Sequence, residues 1–422
     1  MLKRFEIDLV AQRPTAQYLQ LTVEKITNFP PFNSSIIFLI FYLYRKLITL
    51  FKMRNEIFSN ISKIIERDSK TTTYKFALLR GVIDIIQDNS PYIYYSNDRA
   101  YFPLGLLIEK WLIYYYPIME VEYNIPQING KSKLAFEMQF KKFITEYRDI
   151  GGLSAFYNDL RNKGLPPKFI PAFFDLAKKM KNTITLMPMK HIGRSISDEY
   201  YSIFQFEPKS KGKKPDTIDI EYLTTNFGIF SIPIEYYDAF RILGSFINGQ
   251  DSILFKWAEF SVNASGKNLS FEKVIGEVLK NPITERDIKE SKRIFESILK
   301  KQGKVYCVWT GDPILKYQVD HLIPFSIWKN NDLWNLLPSK AVINNQKRDK
   351  IPSTHLIEKR KDLIIHYWEL LNKNQFERFQ KEIQISLLGN NSNTNWQEKA
   401  FAHLQNSCRY LINNRGYIEW NI

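Results

Sequence analysis

The sequence predicts a mainly α-helical fold of the α+β class: a helical N-terminal region, then a small strand–strand–helix module, then further packing helices. Three observations support this. Apolar residues recur with helical spacing from Arg54 to about Lys181. Two short β patterns follow Lys304, and polar residues gather directly after the second. With 44% hydrophobic and 15% aromatic residues, the 422-residue chain can fill the core of one large unit or of two to three modules.

The composition favours an anionic partner. The formal net charge is +15, and a basic surface attracts phosphate backbones through counterion release. Membranes and acidic proteins would fit the same charge. Two cysteines, Cys307 and Cys408, are too few for a disulfide framework or a four-cysteine zinc cage. Such cysteine usage is typical of a reducing compartment, so we expect a cytoplasmic protein with no membrane association.

The first 52 residues are an extension for which the sequence allows two interpretations. The apolar run Ser35–Tyr44 ends at Arg45 and is too short to span a bilayer, and no small-residue cleavage site follows it. A regular amphipathic pattern begins only after Met53. Either translation naturally starts at Met53, or the extension is a further helix that packs on the body or on a partner. A peptide preceding Met53, found by mass spectrometry of the native protein, would exclude the first interpretation.

The helical pattern and its breaks predict the elements in order. Helices are expected at Glu56–Arg67, Thr72–Gln87, Leu134–Tyr147, Ser154–Asn162, Lys168–Lys181, Tyr236–Val262, Glu285–Gln302 and Leu356–Leu371, and strands at Ser202–Phe206 and Phe227–Ile232. The predicted organisation is an extension (1–52), a helical region for DNA binding, sensing or partner binding (53–206), a basic linker loop (207–215), a helical connector (216–303), the strand–strand–helix module (304–352) and a C-terminal helical region (353–422).

The linker loop Glu207–Pro215 is the first candidate for nucleic-acid contact. Proline, glycine and four lysines indicate a surface loop. Its lysines could touch phosphate, although a run of charges is more often only solvated. We therefore assign nucleic-acid binding, as a hypothesis, to these lysines and to one within the module: Lys209, Lys211, Lys213, Lys214 and Lys340.

The module at 304–352 differs in kind from the rest of the chain. We expect strands at Val305–Thr310 and Leu315–Val319, joined by a tight turn at Gly311-Asp312-Pro313. Asp320 and His321 follow at once. Ser339 is the expected N-cap of a short helix that carries Asn344, Asn345 and Lys347.

These polar residue types suit phosphodiester hydrolysis. A histidine can take a proton from the attacking water, while a hard divalent ion on oxygen ligands neutralises the phosphate and the departing oxygen. Asp320 offers a carboxylate and Asn344 an amide oxygen for Mg²⁺ or Mn²⁺. Adjacent strand residues face opposite ways, so we expect Asp320 to meet the metal and His321 to meet the water.

The run Asp320-His321-Leu322-Ile323-Pro324, followed by Asn335 and by Asn344-Asn345-Gln346-Lys347, resembles the HNH (ββα-metal) endonuclease family. The preceding Cys307–Ile314 is similar to the opening of HNH domains in RNA-guided type II CRISPR nucleases; the rest of the chain resembles no such nuclease. The resemblance implies Asp320 and Asn344 as metal ligands and His321 as general base. Asn335 would brace the loop that orients His321, and Lys347 would contact the scissile phosphate or the fold. If the helix register differed, Asn345 would replace Asn344 as the metal ligand.

The chain departs from many HNH proteins, which hold this fold with a structural zinc on two Cys-x-x-Cys pairs. Of those four positions only Cys307 is a cysteine here, so we expect no structural zinc. The expected function is a Mg²⁺- or Mn²⁺-dependent DNA endonuclease in restriction or anti-phage defence. A silent nucleic-acid-binding module and a partner-controlled, toxin-like nuclease remain alternatives, and a protein partner or a homodimer fits any of the three.

Overall fold

The computed structural model describes residues 57–65, 70–130, 133–192, 202–209, 215–247, 253–391 and 394–422. The chain divides into two compact units, 1–59 and 60–422, and the elements discussed here belong to the second unit apart from the beginning of the helix at 57–65. Within the described residues no helix is both long and apolar enough to cross a membrane. The expected extension 1–52 and the possible translation start at Met53 both lie outside these residues.

The region before residue 279 is mainly helical. Its helices are α1 (57–65), α2 (Tyr74–Gln87), α3 (Leu104–Glu120), α4 (Glu137–Arg148), α5 (Gly152–Asn158), α6 (Ile170–Leu186), α7 (Pro188–His191), α8 (Ile220–Asn226), α9 (Ile234–Ile247), α10 (Ile253–Ala264) and α11 (Phe271–Val278). An antiparallel sheet in the order β1-β2-β4-β3 is formed by β1 (Tyr94–Ser96), β2 (Arg99–Pro103), β3 (Gln205–Glu207) and β4 (Ile229–Pro233). The sheet joins strands from both sides of the basic loop.

Helix α3 lies at the centre of this region and was not predicted. Nearly all of its residues are buried, since it packs against α2, α4, α8 and α11. A helix that is apolar on every side has no amphipathic period, so its pattern gives no helical signal. Gly105 permits the close approach to α8, because a Cβ there would lie 1.9 Å from the carbonyl oxygen of Leu223. The other predicted helices are confirmed among the described residues. The predicted Tyr236–Val262 helix corresponds to α9 and α10, and residues 248–252 between them lie outside the described residues.

The C-terminal region begins with the segment 279–288, which is neither helix nor strand. Its helices are α12 (Lys289–Gln302), α13 (Phe325–Trp328), α14 (Ala341–Lys347), α15 (Thr354–Lys359), α16 (Lys361–Asn374), α17 (Phe376–Ile383) and α18 (Trp396–Asn413). Its strands pair as β5 (Val305–Tyr306) with β6 (Pro313–Ile314), β7 (Gln318–His321) with β8 (Leu336–Ser339), and β9 (Ile351–Pro352) with β10 (Glu419–Trp420).

Two predictions about this module differ from the structure. The expected strand Leu315–Val319 forms only at its end: Ile314 pairs with Val305, and β7 starts at Gln318 and pairs with β8. Ser339 is not the N-cap of α14; it is the last residue of β8, and Lys340 precedes the helix. Strand β8 was not predicted from the sequence because it contains Pro338, and proline is rarely found inside a strand. Here Pro338 lies opposite Val319 and its carbonyl accepts a hydrogen bond from the Val308 amide at 2.8 Å.

The C-terminal helices share one core with the module. Trp368 of α16 donates from Nε1 to the Trp334 carbonyl at 2.8 Å, and both side chains are fully buried. The rings of Trp309 and Trp420 meet edge to face at 5.3 Å between centroids. Burial of such large side chains contributes most of a core's stability. The predicted packing helix Leu356–Leu371 is confirmed as α15 and α16, with a break at Arg360.

Candidate active site

The turn between β5 and β6 places Trp309 beneath the predicted site. Gly311 has a φ of +78°, a conformation that glycine adopts without strain. The Arg360 guanidinium bonds to the carbonyls of Trp309 and Thr310, the latter at 2.7 Å. Trp309 is fully buried and donates from its indole Nε1 to Asp320 Oδ2 at 2.7 Å. The turn therefore fixes a hydrogen-bond donor against the carboxylate of the motif.

Asp320 is a buried carboxylate whose two oxygens are both engaged. In addition to the Trp309 bond, its Oδ1 lies 3.3 Å from the Lys347 Nζ. Burial raises the pKa of Asp320, while the Lys347 charge and the Trp309 hydrogen bond oppose that rise. Each carboxylate oxygen has two lone-pair sites, so these two contacts leave one acceptor site on each oxygen.

Lys347 is fully buried below Asp320 and does not line the cleft. Its Nζ also donates to the His321 carbonyl at 2.6 Å. Burial lowers the pKa of Lys347, and the Asp320 charge opposes this. Of the two roles that the resemblance implies for Lys347, the position fits contact with the fold rather than with a phosphate.

His321 is 2% exposed and lies at the end of β7, where its ring packs 5.4 Å from the Phe325 ring. Within the described part of the chain neither Nδ1 nor Nε2 has a hydrogen-bond partner. Burial and the positive charge of Arg286 lower the pKa of His321 to about 4, and the nearby Asn331 side chain opposes this fall. Buried polar atoms without partners are exceptions in proteins. His321 therefore presents a neutral imidazole to the cleft.

Asp320 and His321, the last two residues of β7, both border one cleft, and their opposite orientation stays a prediction. The strand ends at His321, and the chain turns directly after it. Asn335 holds this turn. Its Oδ1 accepts from the Ile323 amide at 2.8 Å, its Nδ2 donates to the Ile323 carbonyl at 3.0 Å, and its own carbonyl accepts from the Leu322 amide.

Asn344 completes the cleft from the first turns of α14. Its Nδ2 donates to Gln318 Oε1 at 2.8 Å, which leaves the amide oxygen as the atom available to a ligand. Asn345 also borders the cleft, so both asparagines that the sequence offers as metal ligand lie at the site. The cleft measures about 640 Å³ and is lined by Arg286, Asp320, His321, Pro324, Phe325, Ser326, Asn344, Asn345, Arg348 and Asp349.

The donor set fits a hard divalent ion. Asp320 and Asn344 supply oxygen atoms to one cleft, and oxygen is the ligand type that Mg²⁺ and Mn²⁺ prefer. Among the described residues no group of three or more His, Cys, Asp or Glu side chains could hold a metal. Such an ion would therefore take only a few protein ligands and complete its shell with water and substrate phosphate, as Mg²⁺ commonly does.

The two described lysines that the sequence suggested for nucleic-acid binding, Lys209 and Lys340, do not line the cleft. Lys340 forms an ion pair with Asp312 at the surface. Lys209 donates to the Thr225 carbonyl within the helical region. Lys211, Lys213 and Lys214 lie outside the described residues, so nucleic-acid contact by them stays a prediction.

Two arginines in the cleft were missed by the sequence interpretation. Arg286 lies in the segment 279–288, the end of which was predicted to belong to the helix Glu285–Gln302. Arg348 directly follows α14 and has a φ of +52°. Neither belongs to a recognised motif. In a chain with 59 lysines and arginines, the sequence alone does not indicate which single cationic residue lies at a functional site.

Comparison with known families matches two parts of the chain. Residues 307–353 match the model of a family described as HNH endonuclease, which covers the turn, Asp320, His321, Asn335 and α14. Residues 54–278, more than half of the chain, match a domain of unknown function, DUF8808. No curated protein matches the sequence. The chain belongs to the DUF8808 family, and it joins this domain to a C-terminal HNH endonuclease module.

Proposed function

We propose that the chain is a metal-dependent endonuclease that hydrolyses phosphodiester bonds in DNA. One observation carries the proposal: His321, whose ring nitrogens make no hydrogen bond with the described residues, borders a cleft that also contains Asp320 and Asn344. A general base needs a free lone pair within reach of the water that it deprotonates. A structural histidine in a core would instead be hydrogen-bonded to its surroundings.

The roles follow from the contacts. His321 accepts a proton from the attacking water at a ring nitrogen that faces the cleft. Asn335 fixes the turn behind His321 through Ile323, so the imidazole keeps its position during the reaction. Asp320 and Asn344 would hold one Mg²⁺ or Mn²⁺ ion, which supplies charge stabilisation to the phosphate and to the departing 3′ oxygen. Lys347 orients the Asp320 carboxylate from below.

DNA is the proposed substrate because the chain carries a net charge of +15 and an HNH module. A positive protein surface binds the DNA backbone through counterion release, independently of sequence. The large helical region beside a module of about 50 residues supports a division between target sensing and cutting. Restriction or anti-phage defence in the cytoplasm is the setting that we propose for such a division, with a protein partner or a second copy as its regulator.

A silent nucleic-acid-binding module is the second candidate, and the Asp320 contacts favour it. Lys347 and Trp309 already engage one lone-pair site on each carboxylate oxygen, and the ammonium supplies positive charge where a metal would otherwise do so. Under this alternative the cleft would bind phosphate without cutting. His321 would then be dispensable.

The two candidates separate in one experiment. Supercoiled plasmid and linear DNA are incubated with the full chain in Mg²⁺, Mn²⁺ or chelator, beside the His321→Ala variant. The proposal expects nicking or linearisation that needs metal and is lost in the variant. Equal behaviour of wild type and variant would exclude His321 as general base. DNA binding without cleavage in any metal would favour the silent module.

A further inference from the structure

The segment 279–288 lies between the two family matches and is covered by neither. It connects α11 to α12 without helix or strand. At its start the Ile283 amide donates to Ser154 Oγ of α5 at 2.9 Å, which fixes it to the helical region. At its other end it runs past the nuclease cleft, where Arg286 forms part of the lining. The segment therefore touches both the helical region and the active site.

The Asn331 side chain holds the backbone on both sides of Arg286. Its Nδ2 donates to the Glu285 carbonyl at 2.7 Å, and its Oδ1 accepts from the Asp287 amide at 2.9 Å. The Asn331 carbonyl in turn accepts from Arg378 Nη2 at 3.2 Å. A carboxamide is needed for this clamp, because one end must donate and the other must accept. The clamp fixes one backbone position in an otherwise irregular segment, and that position is Arg286.

Among the described residues the Arg286 guanidinium makes no ion pair and no side-chain hydrogen bond. Its charge nevertheless acts on Asp320 and His321, which line the same cleft. The cleft's other arginine, Arg348, donates a hydrogen bond from Nε to the Asn345 carbonyl at 3.2 Å. A guanidinium presents a planar fork of donors that matches two oxygens of a phosphate. Arg286 is therefore equipped for an anion that comes from outside the chain.

We propose that Arg286 binds the non-bridging oxygens of the phosphate that is cut, and that Asn331 is its positioning residue. The inference rests on the proposed nuclease function and adds a substrate contact from outside the HNH match. Its consequence is that the active site is incomplete without the segment that leaves the helical region. A contact that strengthens as charge builds on the phosphate accelerates cleavage more than it tightens substrate binding.

The test compares Arg286→Ala and Arg286→Lys with Arg293→Ala in the full chain. Arg293 is the matched control, because it is an exposed arginine of α12 paired with Glu290 and does not line the cleft. Single-turnover cleavage of a DNA duplex is measured in Mg²⁺ at saturating protein, and binding is measured separately in chelator. We expect Arg286→Ala to slow cleavage by about 10²- to 10³-fold with little change in binding. Lysine keeps the charge without the fork and should recover part of the rate.

The positioning role needs a readout that loss of folding would not imitate. Asn331→Leu cannot make the clamp and should slow cleavage while Arg286 is present. In the Arg286→Ala background the same change should have almost no further effect, because both changes remove one interaction. Additive losses would exclude the positioning role. Equal rates for Arg286→Ala and Arg293→Ala would overturn the substrate contact while leaving the proposed function intact. A wild type that cleaves no DNA in any metal would overturn both.

Discussion

The buried pair of Lys347 and Asp320 gives a prediction whose size follows from the structure. Lys347→Met keeps most of the side-chain length but removes the ammonium, which bonds to Asp320 Oδ1 and to the His321 carbonyl. Both side chains are nearly inaccessible, at 0% and 5% exposure. Removal of one member of a buried ion pair typically costs about 3–5 kcal/mol, because the other charge stays buried and uncompensated. We expect a loss of this size in the free energy of unfolding.

The assay is equilibrium unfolding in urea, followed by tryptophan fluorescence in chelator so that no metal replaces the lost charge. Lys340→Met is the matched control, because Lys340 pairs with Asp312 at the surface. Exposed pairs contribute little to stability, so the control should unfold close to wild type. The reasoning would be refuted if the two variants unfolded at the same urea concentration. That result would mean that Lys347 is not held in the core and is free to contact substrate.

Two further predictions concern the metal ligands and the response to pH. Asn344→Ala should lose cleavage at low Mg²⁺ and regain part of it at high Mg²⁺, whereas Asn345→Ala should cleave normally; the reverse pattern would assign the ligand to Asn345. Burial lowers the pKa of His403 to about 4, from about 6.5 in an unfolded chain. Between these values only the unfolded chain takes up the proton, so stability falls as pH drops below about 6.5. His403→Gln should flatten part of that fall in melting temperature, and a parallel pH profile would contradict it.

The motif residues could be located from the sequence because their spacing is a local property. Asp320, His321 and Asn344 were predicted together, and the structure places all three in one cleft. What the sequence could not give was the orientation of these side chains. Lys347 belongs to the motif by spacing, yet it lies beneath Asp320 because α14 packs on β7. That packing depends on tertiary contacts and not on spacing.

The remaining misses have separate physical causes. Helix α3 was missed because it is buried on all sides and so lacks the period on which pattern reading depends. Strand β8 was missed because Pro338 breaks the usual strand signal. Arg286 was missed because its backbone is held by hydrogen bonds from Asn331, which lies 45 residues further along the chain. Such long-range contacts produce no pattern in the local sequence.

The most direct measurement of the central claim compares His321→Ala with His366→Ala in parallel cleavage and binding assays. His366 is an exposed histidine of α16 and lies outside the cleft. General-base catalysis typically contributes about 10²- to 10⁴-fold to rate, so His321→Ala should lose at least about 100-fold in metal-dependent DNA cleavage. It should bind DNA in chelator as wild type does, and His366→Ala should match wild type in both assays. Cleavage by His321→Ala at the wild-type rate would contradict the claim that this chain cuts DNA through His321.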